Sequence, residues 1–242
     1  MRKQKVFIIT GASRGLGRAL ANRLAGDNIR LFLIARKGVD KLAHKINKEG
    51  FFAKSFCFDL KKTDNLEGLA KGIFRHISLR ATLSITLINN AGAIEPISPV
   101  GDYNIREALK NMHVNCLAPI ALSSIVMKKT RRFSGKKLIL NISSGAAKKA
   151  ICGLSLYCSA KAALEMFTRC VTAEQARFKK GFAMHIFDPG VINTRMQGVI
   201  RSQNKRDFPE VDKFINLSKK GLLKSADFAA QEIIAFINYR LK

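Results

Sequence analysis

The sequence predicts an α/β fold: one domain over residues 1–242, built on a doubly wound parallel sheet of about six strands. Three observations carry that prediction. Short apolar runs, the form taken by strands buried on both faces of a parallel sheet, alternate with stretches of helical spacing along the chain. The first run passes straight into a glycine turn and then a helix. No linker, repeat or low-complexity segment interrupts the alternation. With 242 residues, 47% of them apolar, the chain can bury one good core and is no candidate for disorder.

Lys5–Thr10 is the first strand. Gly11-Ala-Ser-Arg-Gly-Leu-Gly17 follows at once, and Leu16, Leu20 and Leu24 then recur at helical spacing. Strand, glycine turn and helix in succession make a dinucleotide-binding opening. Gly11 permits the tight turn, Gly15 close backbone approach, and Gly17 packing of helix on strand. The first helical amides then face a pyrophosphate. Ser13, Arg14 and Leu16 complete this cofactor loop. The spacing is Gly-x-x-x-Gly-x-Gly, and a glycine turn without a ligand remains the other reading.

Ile29–Ala35 is the second strand. NAD-binding units place an acid at this strand end to hold the adenosine ribose; here Ala35 is followed by Arg36. Arg36 and Arg14 offer two guanidiniums to a 2′-phosphate, which predicts NADP (as NADPH) over NAD. The competing reading is that Arg36 is one more surface base in a very basic chain. Phe51–Phe58 is the third strand, with Asp59 and Leu60 at its end beside the adenine.

Asn65–Arg75 has a helical pattern. Leu83–Ile88, the fourth strand, runs into Asn89-Asn90-Ala91-Gly92, where small residues admit a cofactor and the Asn side chains tie neighbouring loops. Tyr103–Arg132 reads as a long helix with a fault. Pro119 has no N–H, so the carbonyl of Asn115 loses its helical partner. Such a carbonyl can hold a water, and faults of this kind mark either functional sites or simple kinks.

Lys137–Ile142 is the fifth strand and delivers Ser143-Ser144. Ser155 is placed to N-cap the next helix. Phe182–Phe187 is the sixth strand, followed by Asp188-Pro189-Gly190 and Val191-Ile192-Asn193-Thr194. The polar segment 195–220, with weak helical patterns, suits a substrate lid. Ser225–Tyr239 is a final helix, and no strand is expected after it.

The chemistry centres on Ser144, Tyr157 and Lys161. If Tyr157 opens a helix, Lys161 lies one turn further on the same face. An ammonium near a phenol favours the phenolate, which would make Tyr157 a proton donor and acceptor near neutral pH. Ser144, at a strand end, could bond the same substrate oxygen. A Tyr-x-x-x-Lys spacing by itself is usually a solvated helix face.

The chain carries 43 basic and 17 acidic residues, a net charge of +26. Such a charge raises nucleic-acid binding. The bases, however, come as scattered pairs such as Lys128-Lys129, Lys148-Lys149 and Lys179-Lys180, with no basic arm or aromatic platform. The favoured reading is a generally basic surface that steers anionic ligands. No apolar run approaches a membrane span, and Val6–Ile9 is too short for the core of a signal peptide. The five cysteines are odd in number and lack CxxC spacing, and His44, His76, His113 and His185 lack ligand spacing. No metal site is expected, and a reducing cytoplasm is the simpler setting.

Taken together, these residues resemble the short-chain dehydrogenase/reductase family across essentially the whole chain. The matching motifs are Thr10–Gly17, Asp59, Asn89-Asn-Ala-Gly92, Asn115, Ser144, Tyr157-x-x-x-Lys161 and Pro189-Gly190-x-x-x-Thr194. Asn141–Ser144, Leu156–Cys158, Lys161–Ala163, Thr194–Gln197 and Asp207–Asp212 look like its sepiapterin reductase and bacterial benzil reductase branch. The resemblance implies a Rossmann domain and an oxidoreductase in which hydride moves from NADPH to a ketone or diketone. Ser144 and Tyr157 would bind the carbonyl oxygen, with Tyr157 as general acid. Lys161 would lower the Tyr157 pKa and bind the nicotinamide ribose. Asn115 would hold a relay water, and Ile192 and Thr194 would touch the nicotinamide end. It also implies a homodimer through the Tyr103–Arg132 and Tyr157–Phe178 helices. The family's usual seventh strand is not expected here, which favours a less specific diketone over a pterin. An NAD-dependent alcohol or steroid dehydrogenase of the same family, or a non-catalytic NADP-binding sensor, are the alternatives.

Overall fold

The computed structural model describes residues 3–178 and 181–241. Met1, Arg2, the basic pair Lys179-Lys180 and Lys242 lie outside them. The strands are β1 (Gln4–Thr10), β2 (Ile29–Ala35), β3 (Phe52–Cys57), β4 (Thr82–Asn89), β5 (Lys136–Ile142) and β6 (Ala183–Phe187). They form one 6-stranded sheet in the order β3-β2-β1-β4-β5-β6, and every pairing is parallel. In β1, Ile8 stands between Phe32 of β2 and Leu87 of β4. The chain therefore reverses direction across the sheet at β1, with β2 on one side and β4 on the other.

Helices cover both faces, which is why the strands read as unbroken apolar runs. On one face α1 (Gly15–Leu24), α2 (Val39–Lys48) and α9 (Ala226–Arg240) bury Leu20, Ala43 and Ile233 against Phe7, Leu31 and Leu33. On the other, α3 (Leu66–Phe74), α5 (Ala118–Lys129) and α6 (Ser155–Gln175) bury Leu69, Leu122 and Val171 against Ile8, Phe32 and Leu87. The remaining helices are α4 (Ile105–Met112), α7 (Arg195–Arg201) and α8 (Val211–Lys219). Local capping fixes two of the starts. Asn104 and Glu107 form a capping box at α4, and the Ser225 hydroxyl accepts from the Phe228 amide at 3.0 Å at α9.

All six expected strands are present, each within one residue of its expected bounds. β6 is the sheet's edge, and among the described residues no seventh strand pairs with it. Three expectations need correction. The sequence reading assigns no helix between β2 and β3, yet α2 is there, started by Gly38 in the left-handed conformation. Ser155 is not the N-cap of α6: Leu154 is, and no side chain caps it. Instead the Ser155 hydroxyl lies 3.4 Å from that of Tyr103. The fault in the long helix is a π turn, His113–Leu117, closed by Ala118 N–H donating to the His113 carbonyl. It precedes Pro119, which falls in the first turn of α5, where a missing N–H costs little.

Candidate active site

Every strand ends on the same edge of the sheet, and the sequence-predicted site residues follow those ends. Gly11 continues β1, Arg36 β2, Asp59 and Leu60 β3, Asn90-Ala91-Gly92 β4, Ser144 β5 and Pro189-Gly190 β6. The crevice between the β1 and β4 ends is where such sheets bind ligands.

The glycine turn is packed hard against the β4 end. A Cβ on Gly17 would overlap the carbonyl oxygen of Gly11 and lie 2.6 Å from the Asn90 amide nitrogen. Only glycine admits this approach of α1 to the turn. The Asn90 side chain donates to the Thr10 carbonyl at 2.9 Å, and the Asn90 and Ala91 amides both donate to the Thr10 hydroxyl at 3.0 Å. Asn90 thus ties β4 to β1. A Cβ on Gly15 would lie 3.3 Å from a Thr194 methyl, so the glycine turn and the β6 loop face each other. Ser13 is half-buried, Leu16 buried and Arg14 exposed. Arg14 is the N-cap of α1, and no side chain caps the helix there. The first amides of α1 are therefore left for an anion, and the turn fits a dinucleotide pyrophosphate.

Arg36 is exposed, and its carbonyl accepts from the Cys57 thiol. Asp59 is half-buried, accepts from the Lys61 amide at 3.1 Å and pairs with the Lys61 ammonium at 3.4 Å. Ile192 is buried, and its neighbours form a bridge to Lys224: Lys224 N–H donates to the Val191 carbonyl at 3.0 Å and Asn193 N–H to the Lys224 carbonyl at 2.8 Å. The Gly190 amide donates to Asp188 Oδ1 at 2.9 Å.

Tyr157, Lys161 and Ser144 come together at the end of β5. The Ser144 hydroxyl accepts from the Ala146 amide at 3.3 Å and lies near enough to the Tyr157 phenol to favour its ionised form. Lys161 is 4% exposed; its Nζ donates to the Ile142 carbonyl at 2.8 Å and stands 5.7 Å from the centre of the Tyr157 ring. Burial pushes the Tyr157 phenol up to about 12, against the nearby Ser144 hydroxyl, which lowers it, and the Asp188 carboxylate raises it further. Burial also draws Lys161 down to about 8, partly offset by Cys116 and Asp188. The net shift of Tyr157 is thus upward and set by burial, and Lys161 is not among the groups that act on it here.

Asn115, on the π turn, is buried, and its side chain is fully engaged. Its Oδ1 accepts from Ala93 N–H at 3.0 Å, while its Nδ2 donates to the Ala93 carbonyl at 2.7 Å and to Asn111 Oδ1 at 2.9 Å. Asn111 in turn donates to the Glu95 carbonyl at 2.9 Å. Asn115 and Asn111 therefore hold the loop that follows Gly92.

The segment 195–220 is better ordered than its sequence suggests, since it contains α7 and α8. It packs against Tyr157 through one apolar cluster: Phe208, fully buried, with Ile94, Ile97, Leu154 and Val211. Gly153, at φ +79°, has no room for a Cβ against the Asp207 carbonyl oxygen. Sequence reasoning missed Asp188, Phe208 and Asn111 as parts of the site. Asp188 lies beside the Pro189-Gly190 motif, but its effect on Tyr157 and Lys161 is one of spatial proximity. Among the described residues no cluster of His, Cys, Asp or Glu could hold a metal, and no helix is long and apolar enough to cross a membrane.

The family model described as short chain dehydrogenase matches residues 5–205. Benzil reductase ((S)-benzoin forming) of Bacillus cereus is 38% identical over 232 residues, covering 95% of this chain and 92% of that protein. Sepiapterin reductase of Xenopus tropicalis is 29% identical over 240 residues, covering 94% and 88%. The crystallised alcohol dehydrogenase of Thermococcus sibiricus, complexed with 5-hydroxy-NADP, has a TM-score of 0.76 at 23% identity, covering 98% of this chain and 91% of that one. That last likeness is one of fold.

Proposed function

The chain belongs to the short-chain dehydrogenase family, and on that premise we propose that it is an NADPH-dependent carbonyl reductase acting on a benzil-like ketone or diketone. The observation that supports this reading is Tyr157 packed in an apolar cluster, one helical turn before the buried Lys161, in a chain 38% identical to a benzil reductase. Residues 1–242 act as one domain, with 195–220 as the substrate lid.

Gly11, Ser13, Arg14, Gly15, Leu16 and Gly17 would hold the cofactor's pyrophosphate. Arg36 and Arg14 would hold its 2′-phosphate, Asp59 and Leu60 its adenine, and Asn90, Ala91, Gly92, Pro189, Gly190, Ile192, Thr194, Tyr157 and Lys161 its nicotinamide half. When bound, NADPH supplies a hydride to the carbonyl carbon. Ser144 and Tyr157 donate hydrogen bonds to the carbonyl oxygen, where negative charge develops. Tyr157 gives that oxygen its proton. A phenol near 12 is fully protonated at neutral pH, the state reduction requires. Lys161 orders the β5 end through the Ile142 carbonyl and returns a proton to Tyr157. Asn115 holds the loop beside Gly92, and its backbone carbonyl is the acceptor for a relay water. The apolar cluster excludes solvent and receives the substrate's apolar substituents.

The protein acts as a homodimer in this reading. Ile105, Leu109 and Leu117 of α4 and the π turn, with Met166 of α6, are exposed at 71%, 49%, 43% and 57%. They supply the apolar surface a partner would cover. The cysteines among the described residues are all free, which suits a reducing cytoplasm.

The test is oxidation of NADPH, beside NADH, with benzil, 1-phenyl-1,2-propanedione, an aryl ketone and sepiapterin. Turnover of the diketones with NADPH is expected. Silence on all four, with NADPH still bound, overturns the reading.

A further inference from the structure

Glu165 is a buried acid that the chemistry above leaves unused. It stands on α6 one turn beyond Lys161 and two beyond Tyr157, so all three face the sheet from one side. Its side chain is only 8% exposed. Oε1 accepts a hydrogen bond of 2.8 Å from the Ser143 hydroxyl, and Oε2 lies 3.8 Å from an Arg169 guanidinium nitrogen. Ser143 is itself buried, and its amide donates to the Phe187 carbonyl at 2.9 Å.

Burying a carboxylate is unfavourable, and a serine alone does not require one. Its location gives it a task. One face of α6 grips in turn the last two residues of β5 and the residue that follows them. Thr168 accepts from the Asn141 side chain, Lys161 donates to the Ile142 carbonyl and Glu165 accepts from Ser143, each at 2.8 Å. The next residue is Ser144, which caps the short turn Gly145–Ala147 that packs on α6, and its hydroxyl lies near the Tyr157 phenol. Ser143 is pinned on three sides: to β6 by its amide, to α6 by its hydroxyl, and along β5 by the chain. Without Glu165 the α6 restraint is lost one peptide away from Ser144.

We propose that Glu165 is a positioning residue for Ser144, acting through the Ser143 hydroxyl to hold the end of β5 in register with Tyr157. The proposal rests on the reading of Ser144 as a donor to the substrate carbonyl.

The experiment is steady-state kinetics of the full chain with NADPH and benzil. E165L removes the acceptor, and kcat is expected to fall by about tenfold to a hundredfold, the size that small misplacements of reacting groups produce. The KM for NADPH should stay unchanged. E165Q keeps an oxygen that accepts from Ser143 and should recover most of the lost turnover. S143A breaks the same bond from the other side with little change of volume, so the outcome does not depend on E165L folding. In the S144A background, E165L and S143A should slow the reaction no further. A second, multiplicative loss there would show general support of the fold and overturn the proposal, as would full kcat in S143A. If S144A itself turns over at the wild-type rate, the reading of Ser144 falls first and this proposal with it. A slow S144A beside a fully active S143A would overturn the proposal alone.

Discussion

Lys161 lies one helical turn beyond Tyr157, yet its ammonium is engaged 2.8 Å away on the Ile142 carbonyl and not on the phenol. Lysine and tyrosine are both desolvated, and burial moves them in opposite directions. In the protein alone their pKa values stand apart, near 8 and 12.

That separation has a thermodynamic signature. The folded pKa of Lys161, about 8, lies below its ordinary 10.5, so between these pH values the unfolded chain holds the extra proton. Stability owed to this group is therefore lowest below pH 8 and rises towards pH 10.5. Relative to K161M, the wild type should gain up to about 3 kcal/mol over that range. Denaturant unfolding of both proteins across the range measures it; parallel curves would contradict the assignment.

Y157F removes the proton donor and leaves the ring in its apolar cluster. NADPH binding, followed by cofactor fluorescence, should be nearly normal. Turnover should fall by about a hundredfold to ten-thousandfold or more. Substantial retained activity would sink the catalytic assignment.

R36A should raise the KM for NADPH by about tenfold to a hundredfold, the value of one charge-assisted contact to a phosphate. The KM for NADH should hardly move. Equal loss with both cofactors would place Arg36 away from the 2′-phosphate.

Gly153 touches the lid through the Asp207 carbonyl, at a φ that side chains rarely adopt. G153A should destabilise by about 1–3 kcal/mol and loosen the lid. Limited proteolysis should then cut within Arg195–Lys220 sooner than in the wild type, and the KM for benzil should rise more than that for NADPH.

L109K combined with M166K places charges on the exposed apolar faces of α4 and α6. Sedimentation should show a dimer in the wild type and a monomer in the variant. An unchanged dimer would move the interface elsewhere.

The parts of the site legible in the sequence are those that demand a particular residue type. Gly17 must lack a side chain where α1 crosses the turn, and Asn90 must bridge two strand ends. Tyr157 and Lys161 must share a helix face. The six strands were equally legible, because burial on both faces leaves unbroken apolar runs. What stayed hidden is tertiary. Phe208 reads as one aromatic in a polar segment, and only the fold carries it beneath Ile94, Ile97 and Leu154. Glu165 reads as a helix-surface acid until Ser143 meets it. The direction of the Tyr157 shift depends on how deeply each partner is buried, which spacing does not encode.

The two ends of the lid meet at the Ile192–Lys224 bridge, where Val191 and Asn193 exchange hydrogen bonds with Lys224. The intervening chain is thus a loop closed at its base, and it begins with Thr194, which faces the glycine turn. Closure entropy grows slowly with length, by about 0.6 kcal/mol for each doubling. The length of chain above that clasp can therefore vary at small entropic cost while the base stays closed. In the proposed reading, substrate range is set by the stretch above the clasp, whereas Ser144, Tyr157 and Lys161 come from the end of β5 and from α6, outside it.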